Sequence, residues 1–167
     1  MSRRPLASVS LDLDNLWSYL KTHGDPGWES RPSYLSSFIP IALEQLAQLD
    51  LRITVFVVGV DAARAENREA LASLVTAGHE VGNHSHEHEP WLHRYTPAEL
   101  DDEVARAEAA IEAATGQRPV GFRGPGFSWS PALLEVLARA HRVDQVVGAF
   151  HVRERALQAL GIEHVPT

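Results

Sequence analysis

The run Ile53-Thr54-Val55-Phe56-Val57-Val58, closed by Gly59, constrains the fold of this chain more than any other segment. A strand with one wet face alternates apolar and polar residues. This run is β-branched and aromatic almost throughout, so both of its faces are expected to be covered. Such a strand is central and parallel, and its parallel neighbours are reached only through crossovers, usually helices. The rest of the chain should therefore supply helices and further short strands in alternation.

It does. Ala7, Val9, Leu11 and Leu13 alternate with Ser8, Ser10, Asp12 and Asp14, which predicts a strand over residues 6–14 presenting two carboxylates on one face. The stretch 15–31, with Gly24, Pro26 and Gly27, reads as an irregular excursion that begins with a helical turn. Leu35, Phe38, Ile39, Ala42, Leu43, Leu46 and Leu49 recur at helical spacing, predicting a helix over 33–50 with Pro40 kinking its first turns. A helix over 61–77 ends at Gly78, and a strand over 79–83 follows. Thr96-Pro97-Ala98-Glu99 is a capping box with proline at the first helical position, opening a helix that runs to Thr115 before Gly116. A strand over 119–122, a helix from Ser130-Pro131 to about Ala140, a strand over 143–147 and a helix over 154–160 complete the pattern. Strands alternating with helices imply α/β architecture.

Composition narrows the function. At 167 residues the chain is one domain, and 44% hydrophobic with 22% charged residues is ordinary for a globular protein. Fifteen basic against 22 acidic residues give −7, a field that repels phosphate backbones and anionic lipid, so no nucleic-acid partner is expected. The opening residues are too few and too polar for a signal core or a membrane span, which leads us to expect a cytoplasmic protein without a membrane partner. With no cysteine, any metal must be held by histidine and carboxylates. There are nine histidines, and His79, His84, His86, His88 and His93 fall within fifteen residues.

Parallel α/β folds carry their chemistry at the carboxyl ends of strands. Three unusual clusters fall at such ends: Asp12-Leu13-Asp14, His84-Ser85-His86-Glu87-His88, and Arg123-Gly124-Pro125. Two histidines and a carboxylate form a facial ligand set that leaves room for water and substrate. A second carboxylate beside that set suits a general base, and an arginine fork suits holding it in place. Read alone, each cluster has a plainer explanation: a strand end, a solvated histidine loop, a structural ion pair.

Taken in order and spacing, the three clusters resemble the motifs of the polysaccharide deacetylase family, the NodB homology domain of carbohydrate esterase family 4. Ser10-Leu11-Asp12-Leu13-Asp14 is similar to its first motif, His84-Ser85-His86-Glu87-His88 to its His-(Ser/Thr)-x-x-His motif, and Arg123-Gly124-Pro125 to its Arg-x-Pro motif. The resemblance covers about residues 6–140. It implies that Asp12 is the general base, that Asp14, His84 and His88 are metal ligands, and that Arg123 tethers Asp12, with a divalent metal, zinc foremost, as cofactor. His86 occupies the variable position of the motif and is not expected to be a ligand. The residue between the two aspartates resembles the branch holding some peptidoglycan deacetylases and allantoinase-like cyclic-amide hydrolases.

The family's later motifs, including the histidine that supplies the general acid, are not recognisable after Ala140, where only His151 and His164 are candidates. The expected fold is therefore a partial or distorted (β/α) barrel, truncated on its C-terminal side, because a closed barrel of this kind needs about 200 residues or more. Unpaired strand edges in such a sheet favour self-association into a homo-oligomer. The expected function is metal-dependent hydrolysis of a carbon-nitrogen bond, on the N-acetyl group of a carbohydrate or a related small amide. A non-catalytic metal- and ligand-binding domain, or an allantoinase-like cyclic-amide hydrolase, is the alternative. Trp17, Pro125 and Phe127 are expected at the substrate, with packing of the aromatics over the fold as the competing explanation.

Overall fold

The computed structural model describes residues 8–119, 121–139 and 145–146. Five strands, β1 (Ser10–Leu13), β2 (Thr54–Val57), β3 (Glu80–Asn83), β4 (Gly121–Phe122) and β5 (Gln145–Val146), form one sheet. Each strand pairs in parallel with the next in chain order. Every crossover thus steps one place in the same direction. That is how a (β/α) barrel is wound, whereas a doubly wound sheet reverses its strand order midway.

Among the described residues six helices accompany the sheet: α1 (Leu16–His23), α2 (Leu35–Gln48), α3 (Gly59–Ala63), α4 (Arg68–Thr76), α5 (Pro97–Thr115) and α6 (Pro131–Arg139). The longest, α5, begins on the expected capping box: the Thr96 hydroxyl accepts from the Glu99 amide while the Glu99 carboxylate accepts from the Thr96 amide. It ends on Gly116 at φ 73°, a left-handed conformation that costs glycine little. Leu100, Val104, Ala107 and Ile111 lie on one stripe of α5 at steps of four, three and four residues. Ala107 and Ile111 join a core in which Val55, Val57 and Val81 meet Leu35 and Ile39 of α2 and Leu71 and Leu74 of α4. Leu100 and Val104 join a second cluster with Leu92, Phe122 and Leu133, Val136 and Leu137. Each fully buried large aliphatic side chain here contributes about 1.5–3 kcal/mol relative to exposure. No helix among the described residues is long and apolar enough to cross a membrane.

Two expectations are corrected. The excursion after β1 contains a true helix, α1, capped by the Asn15 side chain and closed by Gly24 at φ 75°. The helix expected over 61–77 is two helices, separated by extended backbone at Arg64 (φ −74°, ψ 122°) and a 3-10 turn at Ala65–Asn67. The Asn67 side chain donates to the Asp61 carbonyl at 2.9 Å, the kind of local side-chain bond that competes with continuing the helix. α2, in contrast, runs unbroken through Pro40. The strand expected over 143–147 appears as β5, and the helix expected over 154–160 lies outside the described residues.

Candidate functional site

Sheet register assembles the site. Leu13 pairs with Val57, Val57 with Asn83, and Asn83 with Phe122, so these four residues form one row across the sheet. The residues that follow Leu13, Asn83 and Phe122 are Asp14, His84 and Arg123, which therefore leave the sheet at the same edge. Asp12 sits two residues earlier on β1 and shares the Asp14 face.

His84 Nε2 lies 3.4 Å from Asp14 Oδ1, and His88 Nε2 lies 3.1 Å from the same oxygen. The donor atoms of Asp14, His84 and His88 all fall within 4.8 Å of one another. His84 Nδ1 is 2.7 Å from the Arg123 carbonyl, which can only accept, so Nδ1 carries the proton and Nε2 keeps its lone pair for the cluster. Asp14 Oδ1 and both ring nitrogens of His88 are buried without a hydrogen-bond partner. Burial pushes Asp14 up, but the proximity of His84 and His88 outweighs it and holds this carboxyl well below the usual carboxylate range. A convergent set of buried, partnerless donor atoms fits a divalent cation, because the alternative is several uncompensated polar groups.

Asp12 is differently placed. Its Oδ1 accepts from Arg123 Nη1 at 2.5 Å, and Arg123 Nη2 donates to Ser10 Oγ at 2.6 Å. One guanidinium thus spans two residues of β1. Its Cζ lies 4.2 Å from the centroid of the Phe56 ring, a cation–π contact. Phe56 in turn needs Gly82 as its neighbour, since a Cβ there would come within 2.5 Å of the ring. The two strands that build the hydrophobic core also build the shelf for Arg123.

Two tyrosines hold Asp14 from outside. Tyr19 Oη donates to Asp14 Oδ2 at 3.1 Å, and the Tyr34 hydroxyl donates to the Asp14 carbonyl. Tyr34 went unnoticed in the sequence because it stands at the foot of α2 with no motif around it. Asp61 was missed too. It is fully buried, and its Oδ1 accepts from Trp17 Nε1 at 2.8 Å and Asn15 Nδ2 at 3.1 Å. Burial pushes the Asp61 carboxyl up.

Of the three residues expected at the substrate, two are interior. Trp17 is 1% exposed, committed to Asp61 and packed on Trp28, so packing is the outcome. Pro125 is buried in the 3-10 turn Pro125–Phe127, whereas Phe127 is 54% exposed. The His86 ring occupies the space over Gly59 and stands outside the set formed by Asp14, His84 and His88. His79 is buried and accepts from the Ile53 amide, apart from the candidate metal set. His151 and His164 lie outside the described residues.

The family model described as polysaccharide deacetylase matches residues 25–143. A chitooligosaccharide deacetylase of Bradyrhizobium sp. (strain ANU 289) is 38% identical over 102 residues, which is 60% of this chain and 45% of that protein. Among solved structures, the family 4 carbohydrate esterase from Streptomyces lividans in complex with acetate is 29% identical with a TM-score of 0.59, covering 80% of this chain and 59% of that one. A CE4 family pseudoenzyme from Bacillus anthracis is 25% identical with a TM-score of 0.61, covering 80% of this chain and 41% of that one. The chain spans less than half the length of the curated relatives it matches.

Proposed function

Because the chain belongs to the polysaccharide deacetylase family, we propose that it is a divalent-metal-dependent hydrolase that removes acetyl groups from an N-acetylated carbohydrate. The observation that carries this reading is the pairing of two unlike carboxylates: Asp14 among partnerless nitrogens, and Asp12 held by arginine. Asp14, His84 and His88 would hold the cation, zinc in the first instance. When bound, such an ion lowers the pKa of a coordinated water and polarises a carbonyl.

The chain's own residues do the rest. Asp12 accepts the proton that the attacking water releases as its oxygen bonds to the acetyl carbon. Arg123 keeps the Asp12 carboxylate pointed at that water through a charge-assisted hydrogen bond and, through Ser10, fixes its own guanidinium. The carbon–nitrogen bond then breaks, with the electron pair leaving on a nitrogen that takes up a proton. Exposed Phe127 and Trp129, just beyond Arg123, are suitable for stacking on a sugar ring. The carbohydrate substrate is supported by the chitooligosaccharide deacetylase relative.

A second reading, a domain that binds metal and ligand without turnover, is favoured by the likeness to the Bacillus anthracis pseudoenzyme. One experiment separates the two. The purified chain is loaded with zinc or cobalt, metal content is measured, and acetate release is followed with N-acetylated chitooligosaccharides. Metal uptake with chelator-sensitive acetate release is the expected result. Metal uptake without acetate supports the second reading, and no metal uptake overturns both.

A further inference from the structure

Glu103 stands out on α5. It is 4% exposed and lies beside the apolar stripe Leu100, Val104, Ala107, Ile111, where a carboxylate contributes nothing to packing. A buried carboxylate is costly unless it is well hydrogen-bonded. Its Oε1 accepts from two consecutive backbone amides, His86 N at 2.9 Å and Glu87 N at 2.6 Å. Those amides lie in the turn between the two histidines of the candidate metal set.

That turn does not hold itself. Ser85 has φ 62° and His88 has φ 54°, left-handed conformations that side chains other than glycine adopt only when their surroundings enforce them. The carbonyls of Ser85 and His86 are taken by the Gly59 and Val60 amides at 2.9 and 3.0 Å, and Lys21 Nζ donates to the Glu87 carbonyl at 3.1 Å. Carbonyls are thus held from β2–α3 and α1, and the amides on the other side from α5 by one carboxylate. We propose that Glu103 is a positioning residue: it clamps the His84–His88 turn in the strained shape that directs both histidines at Asp14 before any cation arrives. This rests on the metal reading above for its consequence, but the clamp is a property of the metal-free chain.

The test uses Glu103→Ala, Glu103→Asp (same charge, one methylene short) and Glu103→Gln, whose amide oxygen can still accept both N–H groups. Val136→Ala, in the second core cluster, serves as a purely structural control. Cobalt affinity is read by absorption titration, and exchange of the His86 and Glu87 amides by NMR in chelator. Glu103→Ala and Glu103→Asp are expected to bind cobalt about 10–100-fold more weakly, as outer-shell variants do, and to lose protection at both amides. Glu103→Gln is expected to restore both, while Val136→Ala lowers Tm and leaves cobalt affinity within about twofold of the native chain. If Glu103→Ala does not fold, Glu103→Asp carries the measurement. Unchanged protection at both amides overturns the clamp whether or not metal binds. So does cobalt affinity within about twofold of native in Glu103→Asp, or a Val136→Ala loss equal to that of the Glu103 variants. A native chain that takes up no cobalt overturns the metal reading alone, with the amides still deciding the clamp.

Discussion

Asp12 and Asp14 leave the same strand on the same face, and their surroundings could hardly differ more. Around Asp12 the carboxylate is already answered: a guanidinium donates to it, a serine hydroxyl accepts from the same guanidinium, and the Phe56 ring packs against it, with Arg123 Nε alone left buried and unpartnered. Around Asp14 more is left over: one of its oxygens and both ring nitrogens of His88 are buried with no hydrogen-bond partner. A finished ion pair can orient a reacting group but has nothing left with which to take a cation. The unfinished cluster is the reverse. Two identical side chains thus acquire opposite jobs from what the neighbouring strands deliver to them.

The strongest way to break this contrast is to remove ligands from the unfinished side. His88→Ala and Asp14→Asn are expected to lower zinc affinity at least about 100-fold, whereas His86→Ala should leave it within a few-fold. Calorimetric titration of the three variants decides it, and equal losses in all three would mean that the whole loop, not a ligand set, is responsible. On the finished side, Asp12→Asn should retain zinc and lose turnover by about 10² or more, because an amide oxygen keeps the shape but takes no proton. Acetate release at saturating substrate is the measurement, and native kcat in this variant would remove Asp12 from the mechanism. The smallest effect is expected for Arg123→Lys, about tenfold in kcat with unchanged zinc affinity, since a point charge cannot span Asp12 and Ser10 as a planar fork does. Loss of metal in that variant would show that the two sides are one unit.

Much of this was legible in the sequence, and the physical reason is that period-2 alternation and strand-end clusters are local signals. Asp12 and Asp14 could be placed on one face from spacing alone, and the α5 capping box at Thr96 and Glu99 was readable residue by residue. What escaped detection depends on partners distant in the chain. Asp61 reads as a surface carboxylate opening a helix until Asn15 and Trp17 arrive from 46 and 44 residues away. Trp17 looks like a sugar platform for the same reason: nothing nearby in sequence says that its indole N–H is already spent. Glu103 belongs to the acid-rich run Glu99 to Glu108 on α5, and only the turn ahead of α5 distinguishes it from its solvent-facing neighbours.

The row formed by Leu13, Val57, Asn83 and Phe122 makes metal uptake a gauge of strand alignment. If β1 docked on β2 one residue out of place, Leu11 and Leu13 would occupy the positions of the two carboxylates, and no cation could be held. A slip of two residues would be subtler, bringing a carboxylate back to the histidines but the wrong one, Asp12, with Ser10 now facing the arginine where its carboxylate partner had been. β1 is only four residues long and meets a single partner in the described sheet, so its own ladder has little power to forbid such slips. The cation, by accepting one alignment and refusing the others, would act as a proofreader for the edge of the sheet, and a refolding chain would gain its cobalt spectrum only when that last strand has found its place.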